Sequence, residues 1–97
     1  MSSIEDQYRT RDGRVTFLFR FIRVSSYFEI EIVDMPCYGA RNTGYHETHR
    51  VDGCSGSGFM KICFGDESSV DTLETAREYA VAWAENTWQY ILTGERF

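Results

Sequence analysis

Apolar and polar residues alternate along two neighbouring stretches of the chain, and this two-residue period predicts two β-strands. The first stretch, RVTFLFRFIRV (residues 14–24), is dense in β-branched and aromatic residues. The second, YFEIEIV (residues 27–33), alternates apolar residues with Glu29 and Glu31. The other side of the two strands is expected to contribute the core residues Phe17, Phe19, Phe21, Phe28, Ile30 and Ile32.

Ser25 and Ser26 separate the two stretches and favour a tight turn, so an antiparallel hairpin is expected. A turn centred there predicts the cross-strand pairs Phe19–Ile32, Phe21–Ile30, Arg20–Glu31 and Ile22–Glu29. Glu31 then has a cationic neighbour, worth a few tenths to about 1 kcal/mol. For Glu29, the pattern leaves open whether the carboxylate is only solvated or contacts a partner.

The remaining patterns add strands around this hairpin. IEDQYRT (residues 4–10) is compatible with a short helix or an edge strand, and Asp12–Gly13 is a good pair for a tight turn. Pro36, the single proline, is expected to close the second strand. In the glycine-rich segment that follows, a middle strand is predicted over Tyr45–Val51, and another over FMKICF (residues 59–64).

A three- and four-residue period near the C-terminus predicts one long helix. Asp71 is the expected N-cap with Glu74 completing a capping box, and Gly94 is the expected C-cap. The predicted buried side comprises Leu73, Ala76, Ala80, Trp83, Ala84, Thr87 and Ile91. The predicted fold is therefore α+β, an antiparallel sheet of three to four strands packed by one long C-terminal helix, in a single domain over residues 1–97.

The composition is typical of a small globular domain in a reducing cytoplasm. The chain has 97 residues, of which 42% are hydrophobic, enough to exclude a disordered composition. No apolar run approaches the roughly 18 residues of a membrane span, and the N-terminus lacks a signal-peptide pattern. The cysteine count is three, which does not suggest a disulfide framework, so free thiols are expected.

Charge is distributed unevenly along the chain. Residues 1–28 hold five arginines and three acids, whereas residues 29–97 hold five bases and twelve acids, for a net charge of −5. A negative field repels phosphate, so direct nucleic-acid binding is not expected and a basic partner is favoured. The N-terminal arginines are expected to pair within the molecule, with a nucleic-acid patch as the alternative: Arg9, Arg11, Arg14, Arg20 and Arg23.

No motif in the sequence indicates catalysis or metal binding. HETH (residues 46–49) is one residue short of His-Glu-x-x-His and lies in a segment predicted as strand or loop. GCSGSG (residues 53–58) precedes a strand, whereas a nucleophile elbow joins a strand to a helix. The chain is therefore expected to be no enzyme and to hold no metal or other cofactor.

The acids remain as candidate binding residues. Strand carboxylates two residues apart are separated by about 6.6 Å, and Glu74 and Glu78 by about 6 Å along a helix axis. Both spacings are of the order of the distance between neighbouring phosphates of a nucleic-acid strand. The candidate partner-binding residues are Glu29, Glu31, Asp34, Asp66, Glu67, Asp71, Glu74, Glu78 and Glu85. Alternatively, these acids stabilise the helix N-terminus and solvate the surface.

The size, the acidic charge and two stretches, FEIEIVD (residues 28–34) and GDESSVDTLETAREYA (residues 65–80), resemble phage-encoded anti-CRISPR proteins of the small acidic DNA-mimic kind. The resemblance implies a non-enzymatic inhibitor in the bacterial host cytoplasm that binds a CRISPR surveillance complex and blocks target DNA binding. The arginine surplus of residues 9–23 departs from a uniformly acidic mimic. It implies a dipolar protein or a second contact, with acidic or RNA elements of the partner.

Charge alone gives little affinity once salt screens it, so an apolar anchor is also expected. The candidates are Tyr27, Tyr38, Tyr45 and Trp88. The alternative function is a small acidic protein-interaction module, such as a phage accessory protein or assembly subunit, unrelated to nucleic acid. A DNA mimic must compete with DNA for its partner, whereas such a module need not.

Overall fold

Five strands and two helices make up the part of the chain that the structure describes. The computed structural model describes residues 3–52, 58–63 and 66–97. The strands are β1 (Ser3–Arg9), β2 (Thr16–Val24), β3 (Tyr27–Asp34), β4 (Arg50–Asp52) and β5 (Met60–Ile62). The helices are α1 (Tyr45–Thr48) and α2 (Leu73–Thr93), with a 3₁₀ turn at Glu67–Ser69.

The five strands form one antiparallel sheet in the order β1-β2-β3-β5-β4. This confirms the α+β class and the C-terminal helix packed on the sheet. The sheet has five strands where three to four were predicted. The N-terminal segment, for which the sequence allowed helix or strand, forms the edge strand β1 beside β2.

The four predicted pairs of the β2–β3 hairpin are confirmed, and the register shifts by one residue only beyond them, between Phe19 and Leu18. The observed pairs include Phe19–Ile32, Arg20–Glu31, Phe21–Ile30 and Ile22–Glu29. Val24 lies opposite Tyr27, so Ser25 and Ser26 form the turn, and Ser25 has a positive φ of 59°. β3 ends at Asp34, two residues before Pro36, as expected from the missing N–H of proline.

The core lies between the phenylalanine side of the sheet and α2. Phe17, Phe19 and Phe21 are at most 2% exposed, and burying each stabilises the fold by about 1.5–3 kcal/mol. The Trp83 ring meets the Phe17 and Phe19 rings edge-on, with centroids 6.0 Å apart. The alanines of α2 facing the sheet are buried, which confirms the predicted helix face: Ala76, Ala80 and Ala84.

The start of α2 differs from the prediction by one residue. Thr72, not Asp71, is the N-cap: its φ is −126°, and its Oγ1 accepts a hydrogen bond from the Thr75 amide at 3.1 Å. Glu74 is then the second helical residue, one short of the capping-box position. The C-cap is confirmed, because Gly94 has φ 80° and donates its amide to the Tyr90 carbonyl at 2.8 Å.

The middle strand predicted over Tyr45–Val51 is also wrong in its first half. Residues Tyr45–Thr48 form one helical turn, since the Gly44 carbonyl accepts from both the amide and the hydroxyl of Thr48. His49, with φ 52°, ends that turn before β4 begins. β5 is shorter than the predicted strand over residues 59–64, of which Phe64 lies outside the described residues.

Candidate functional site

The two strand carboxylates, Glu29 and Glu31, lie inside the protein, at 4% and 0% exposure. Lys61 Nζ is 2.6 Å from Glu29 Oε2, and Arg20 Nη1 is 3.5 Å from Glu31 Oε1. The predicted Arg20–Glu31 contact is confirmed. The expectation that the acidic side of β3 is partly open to a partner is wrong, because β5 lies beside β3 and brings Lys61 to these carboxylates.

On the sheet face opposite α2, charges alternate in sign from strand to strand. Glu5 of β1 lies opposite Arg20 of β2, then Glu31 of β3 and Lys61 of β5 follow in the same row. Arg20 donates to Glu5 Oε2 from Nε at 3.1 Å and from Nη2 at 2.9 Å. The ring of Phe59 lies 5.3 Å from the Arg20 guanidinium. This charge ladder (Glu5, Arg20, Glu31 and Lys61) joins four strands and balances its own charge.

Other candidate acids hold local turns. Asp66 Oδ1 accepts from the amide and the hydroxyl of Ser68, at 3.1 and 2.6 Å, and so fixes the 3₁₀ turn. Asp34 is exposed, and its Oδ1 accepts from the Met35 amide at 2.9 Å. The side chain of Glu67 lies outside the described residues.

Glu85, on α2, ties the helix to the N-terminal strand and its turn. Its Oε2 accepts from the Tyr8 hydroxyl and from the Arg11 amide, the latter at 2.9 Å. Burial is the main reason that the pKa of Tyr8 is raised, with the Glu85 carboxylate as the second cause. Glu85 therefore stabilises the packing of β1 against α2.

Three of the predicted acids remain exposed at the start of α2. Asp71, Glu74 and Glu78 have no ion pair and no side-chain hydrogen bond to other residues within the described ranges. Glu74 and Glu78 lie one turn apart on the same side of the helix, and Asp71 lies at its entry. These three residues form an acidic row.

The acidic row lies beside a shallow groove of mixed charge. The groove is lined by Arg11, Glu74, Arg77, Glu78, Val81 and Ala82. The Arg77 guanidinium is already paired, since its Nε lies 2.6 Å from Asp6 Oδ2 of β1. Arg11 is the other basic group of the groove and is exposed.

The N-terminal arginines make contacts within the molecule. Arg14 lies 5.4 Å over the Trp88 ring and Arg23 4.6 Å over the Phe28 ring. Arg9 Nη1 donates to the Gly13 carbonyl at 2.8 Å. With Arg20 in the charge ladder, these contacts agree with the expected intramolecular role. Most of these arginines contact aromatic rings or a backbone carbonyl and not an acid. The number of acids and bases in the sequence does not predict such contacts.

The predicted aromatic anchors divide into buried and exposed residues. Trp88 and Tyr38 are 7% and 8% exposed, and Trp88 donates its indole N–H to Asp12 at 2.7 Å. Tyr45 is 54% exposed. Tyr79, which the sequence analysis missed, is 40% exposed and follows Glu78 on α2. The exposure of Tyr79 could have been predicted from the sequence, because Tyr79 falls outside the predicted buried side of the helix.

The described residues contain no group of three or more histidine, cysteine or acidic side chains placed to hold a metal ion. His46 is exposed on α1. His49 follows the helical turn, with its ring 4.6 Å from that of Phe97. His46 therefore lies within the helical turn, and His49 lies at its end with a left-handed backbone (φ 52°).

Comparison with protein-family models, curated proteins and solved structures finds no significant match to this chain. Among the described residues, no helix has the length and apolar character needed to cross a membrane. The acidic row and its surroundings are the candidate binding surface.

Proposed function

We propose that this chain is a non-enzymatic inhibitor that acts in the cytoplasm of a bacterial host. It binds a basic, nucleic-acid-binding protein complex and blocks the access of DNA to that complex. A CRISPR surveillance complex is the partner that the anti-CRISPR resemblance suggests. The proposal is supported by the acidic row, whose three exposed carboxylates have no cationic partner within the described part of the chain.

The proposed contact surface is narrower than the set of acids that the sequence suggested. Glu29 and Glu31 are buried against Lys61 and Arg20, so they are not direct contacts in this proposal. The carboxylates of Glu74 and Glu78 repeat at about 6 Å along a rigid helix. In a groove lined by lysine and arginine, they would take the places of neighbouring phosphates.

Charge alone does not give this surface enough affinity, because each exposed ion pair contributes about 0.2–1 kcal/mol and is screened by salt. Partly exposed Tyr79 follows Glu78 on α2 and is the proposed apolar anchor, since tyrosine is enriched among interface residues with large energetic effects. The proposed contact surface therefore combines the carboxylates of the acidic row with the aromatic side chain of Tyr79.

The test compares two single charge reversals. Glu78→Lys changes the acidic row in the second turn of α2, beyond the residues that cap the helix. Glu95→Lys makes the same change of charge at another exposed acid after the end of α2. Tagged protein is used to capture partners from host lysate, with and without added double-stranded DNA. The captured complex is then titrated with each variant.

The expected result is capture of a nucleic-acid-binding complex that DNA displaces. Glu78→Lys should weaken binding by about fivefold or more, corresponding to about 1 kcal/mol, while Glu95→Lys leaves it unchanged. If the captured partner ignores DNA and both variants bind equally, the acidic row is only a solvated surface. The alternative, an interaction module unrelated to nucleic acid, would then replace the proposal.

A further inference from the structure

The edge strand β1 offers an open row of backbone hydrogen-bonding groups. β1 runs from Ser3 to Arg9 and pairs with β2 on one side. Within the described ranges, no strand pairs with its other side. A seven-residue open edge is a template for another strand.

The register shows which backbone groups face the open side. The Thr10 amide donates to the Val15 carbonyl at 3.0 Å, and Arg9 lies opposite Thr16. Hydrogen-bonded and non-hydrogen-bonded pairs alternate along an antiparallel ladder, so every second residue of β1 bonds to β2. The residues that direct their N–H and C=O groups to the open side are Ser3, Glu5, Gln7 and Arg9.

We propose that a second copy of this chain pairs with β1 along this edge, antiparallel and about a two-fold axis at Gln7. Glu5 then lies opposite Arg9 of the second copy. By symmetry, Arg9 lies opposite Glu5 of the second copy. Gln7 lies opposite its own copy, and Asp6 lies opposite Tyr8. Three hydrogen-bonded pairs form, with about six backbone hydrogen bonds.

Charge selects this register over its neighbours. An axis at Glu5 or at Asp6 would place each of these acids opposite its own copy, and like charges directly opposite each other are destabilising. An axis at Tyr8 would leave only three residues of each strand paired. The axis at Gln7 pairs five residues from each copy and places two acids opposite two arginines.

The side chains of Glu5 and Arg9, which would meet in the dimer, each have polar atoms that can form a further hydrogen bond. Glu5 is 46% exposed, and both of its bonds from Arg20 go to Oε2, which leaves Oε1 without a contact in the described part of the protein. Arg9 is exposed and, among the described residues, contacts the Gly13 carbonyl through Nη1 but no carboxylate. Glu5 can therefore keep its bonds from Arg20 while its Oε1 accepts from Arg9 of the second copy. Arg9 can keep its bond to the Gly13 carbonyl while it donates to Glu5.

The position of α2 is compatible with this dimer. Paired residues in this register share a sheet face, so the two copies of α2 lie on the same face of one continuous sheet. α2 packs mainly over β2 and β3 and contacts β1 through the Tyr8–Glu85 and Asp6–Arg77 side chains, not through the open backbone edge. On that face Ile4 of β1 is 41% exposed, and this apolar surface is expected to shrink in the dimer.

The decisive experiment is sedimentation of the full chain from about 1 μM to about 1 mM. The wild type is expected to form a dimer, and Gln7→Pro a monomer. Because the Gln7 amide faces away from β2, proline removes a donor from the open edge without breaking a bond inside the sheet. Gln7→Thr keeps that amide and is the matched control expected to dimerise. Circular dichroism checks that each variant is folded.

The register has its own test by charge exchange. Glu5→Arg and Arg9→Glu are each expected to remain monomeric and to form a mixed dimer when combined, because opposite charges then face each other again. A monomeric wild type at every concentration, or a dimer that survives in folded Gln7→Pro, would overturn the proposal. A mixture that stays monomeric would overturn the register. These outcomes are independent of the acidic row, which lies at the start of α2.

Discussion

Two fully buried threonines show how much a single hydroxyl depends on its partner. Thr48 and Thr87 are both 0% exposed. The Thr48 hydroxyl donates to the Gly44 carbonyl at 2.8 Å, whereas the Thr87 hydroxyl makes no hydrogen bond of ordinary geometry among the described residues and has only a weak contact with the Tyr38 hydroxyl. A buried hydroxyl without a partner loses its hydration and gains nothing in return.

Thr87→Val is therefore expected to leave the free energy of unfolding unchanged or to raise it, by less than about 1 kcal/mol. Thr48→Val, the matched control, is expected to lower it by about 1 kcal/mol or more, because a buried hydrogen bond is lost. Urea denaturation of the two variants and the wild type gives both values. Equal losses in the two variants would contradict this account.

Asp12 links pH to the packing of the N-terminal turn. Its Oδ1 accepts from the Thr10 hydroxyl at 2.7 Å and from the Arg14 amide at 3.0 Å, and its Oδ2 accepts from Trp88. These hydrogen bonds lower the pKa of Asp12 below its ordinary value of 3.8, and the bond from Thr10 is the largest cause. The stabilisation is therefore fully present above the ordinary value and is lost as the pH falls through the lowered one.

Asp12→Asn is expected to lower the free energy of unfolding at pH 7, and the difference from the wild type should shrink below about pH 4. Denaturation curves at pH 7 and pH 3 measure this difference. Trp88→Phe removes one of the donors and should weaken the same pH dependence. A deficit of Asp12→Asn that does not change with pH would show that the carboxylate charge is unimportant.

At the scale of elements, the polar face of the sheet is held by ion pairs between strands. Lys61 of β5 and Glu29 of β3 have side chains 10% and 6% exposed, and their charged atoms are 2.6 Å apart. Removing one member of a buried pair leaves a charge that neither water nor a cation compensates. The short strand β5 is therefore important for the stability of the central hairpin.

Lys61→Met is expected to lower the free energy of unfolding by about 3–5 kcal/mol, because the Glu29 carboxylate stays buried without its cation. Adding Glu29→Gln removes that charge and should recover at least about 1 kcal/mol. A double-mutant cycle from urea denaturation supplies the coupling. If the losses of the two single variants simply add, the pair is not coupled and the ladder has little energetic role.

At the scale of the whole molecule, the fold redistributes the uneven charge of the chain. Arg20, from the arginine-rich first third, pairs with Glu31, and Asp6 from the same third pairs with Arg77 of α2. The charge ladder leaves the polar face of the sheet close to neutral, and the Asp6–Arg77 pair lies on the face that α2 covers. The acidic row at the start of α2 remains as exposed negative charge, and it defines the side proposed to meet a basic partner.

The helix and the central hairpin could be predicted because their information is local. The alternation around Phe19 and Ile32 indicates both strands, and two turn residues between them set the register. The period of the alanines predicts the buried side of α2 without knowledge of what covers it. The N-cap was predicted one residue early, since Asp71 and Thr72 are both good capping residues and only the backbone conformation selects Thr72.

The α+β fold class, the register of the central hairpin and the buried side of the helix could be read from the sequence, because each depends on residues close together in the chain. Which acids reach the surface depends on how the strands are arranged in the sheet. Alternation showed that Glu29 and Glu31 point away from the core, but not that Lys61, some thirty residues later, lies over them. Such a contact depends on which strand pairs with which. That pairing follows from packing of the whole sheet, so it leaves no periodic signal in the sequence.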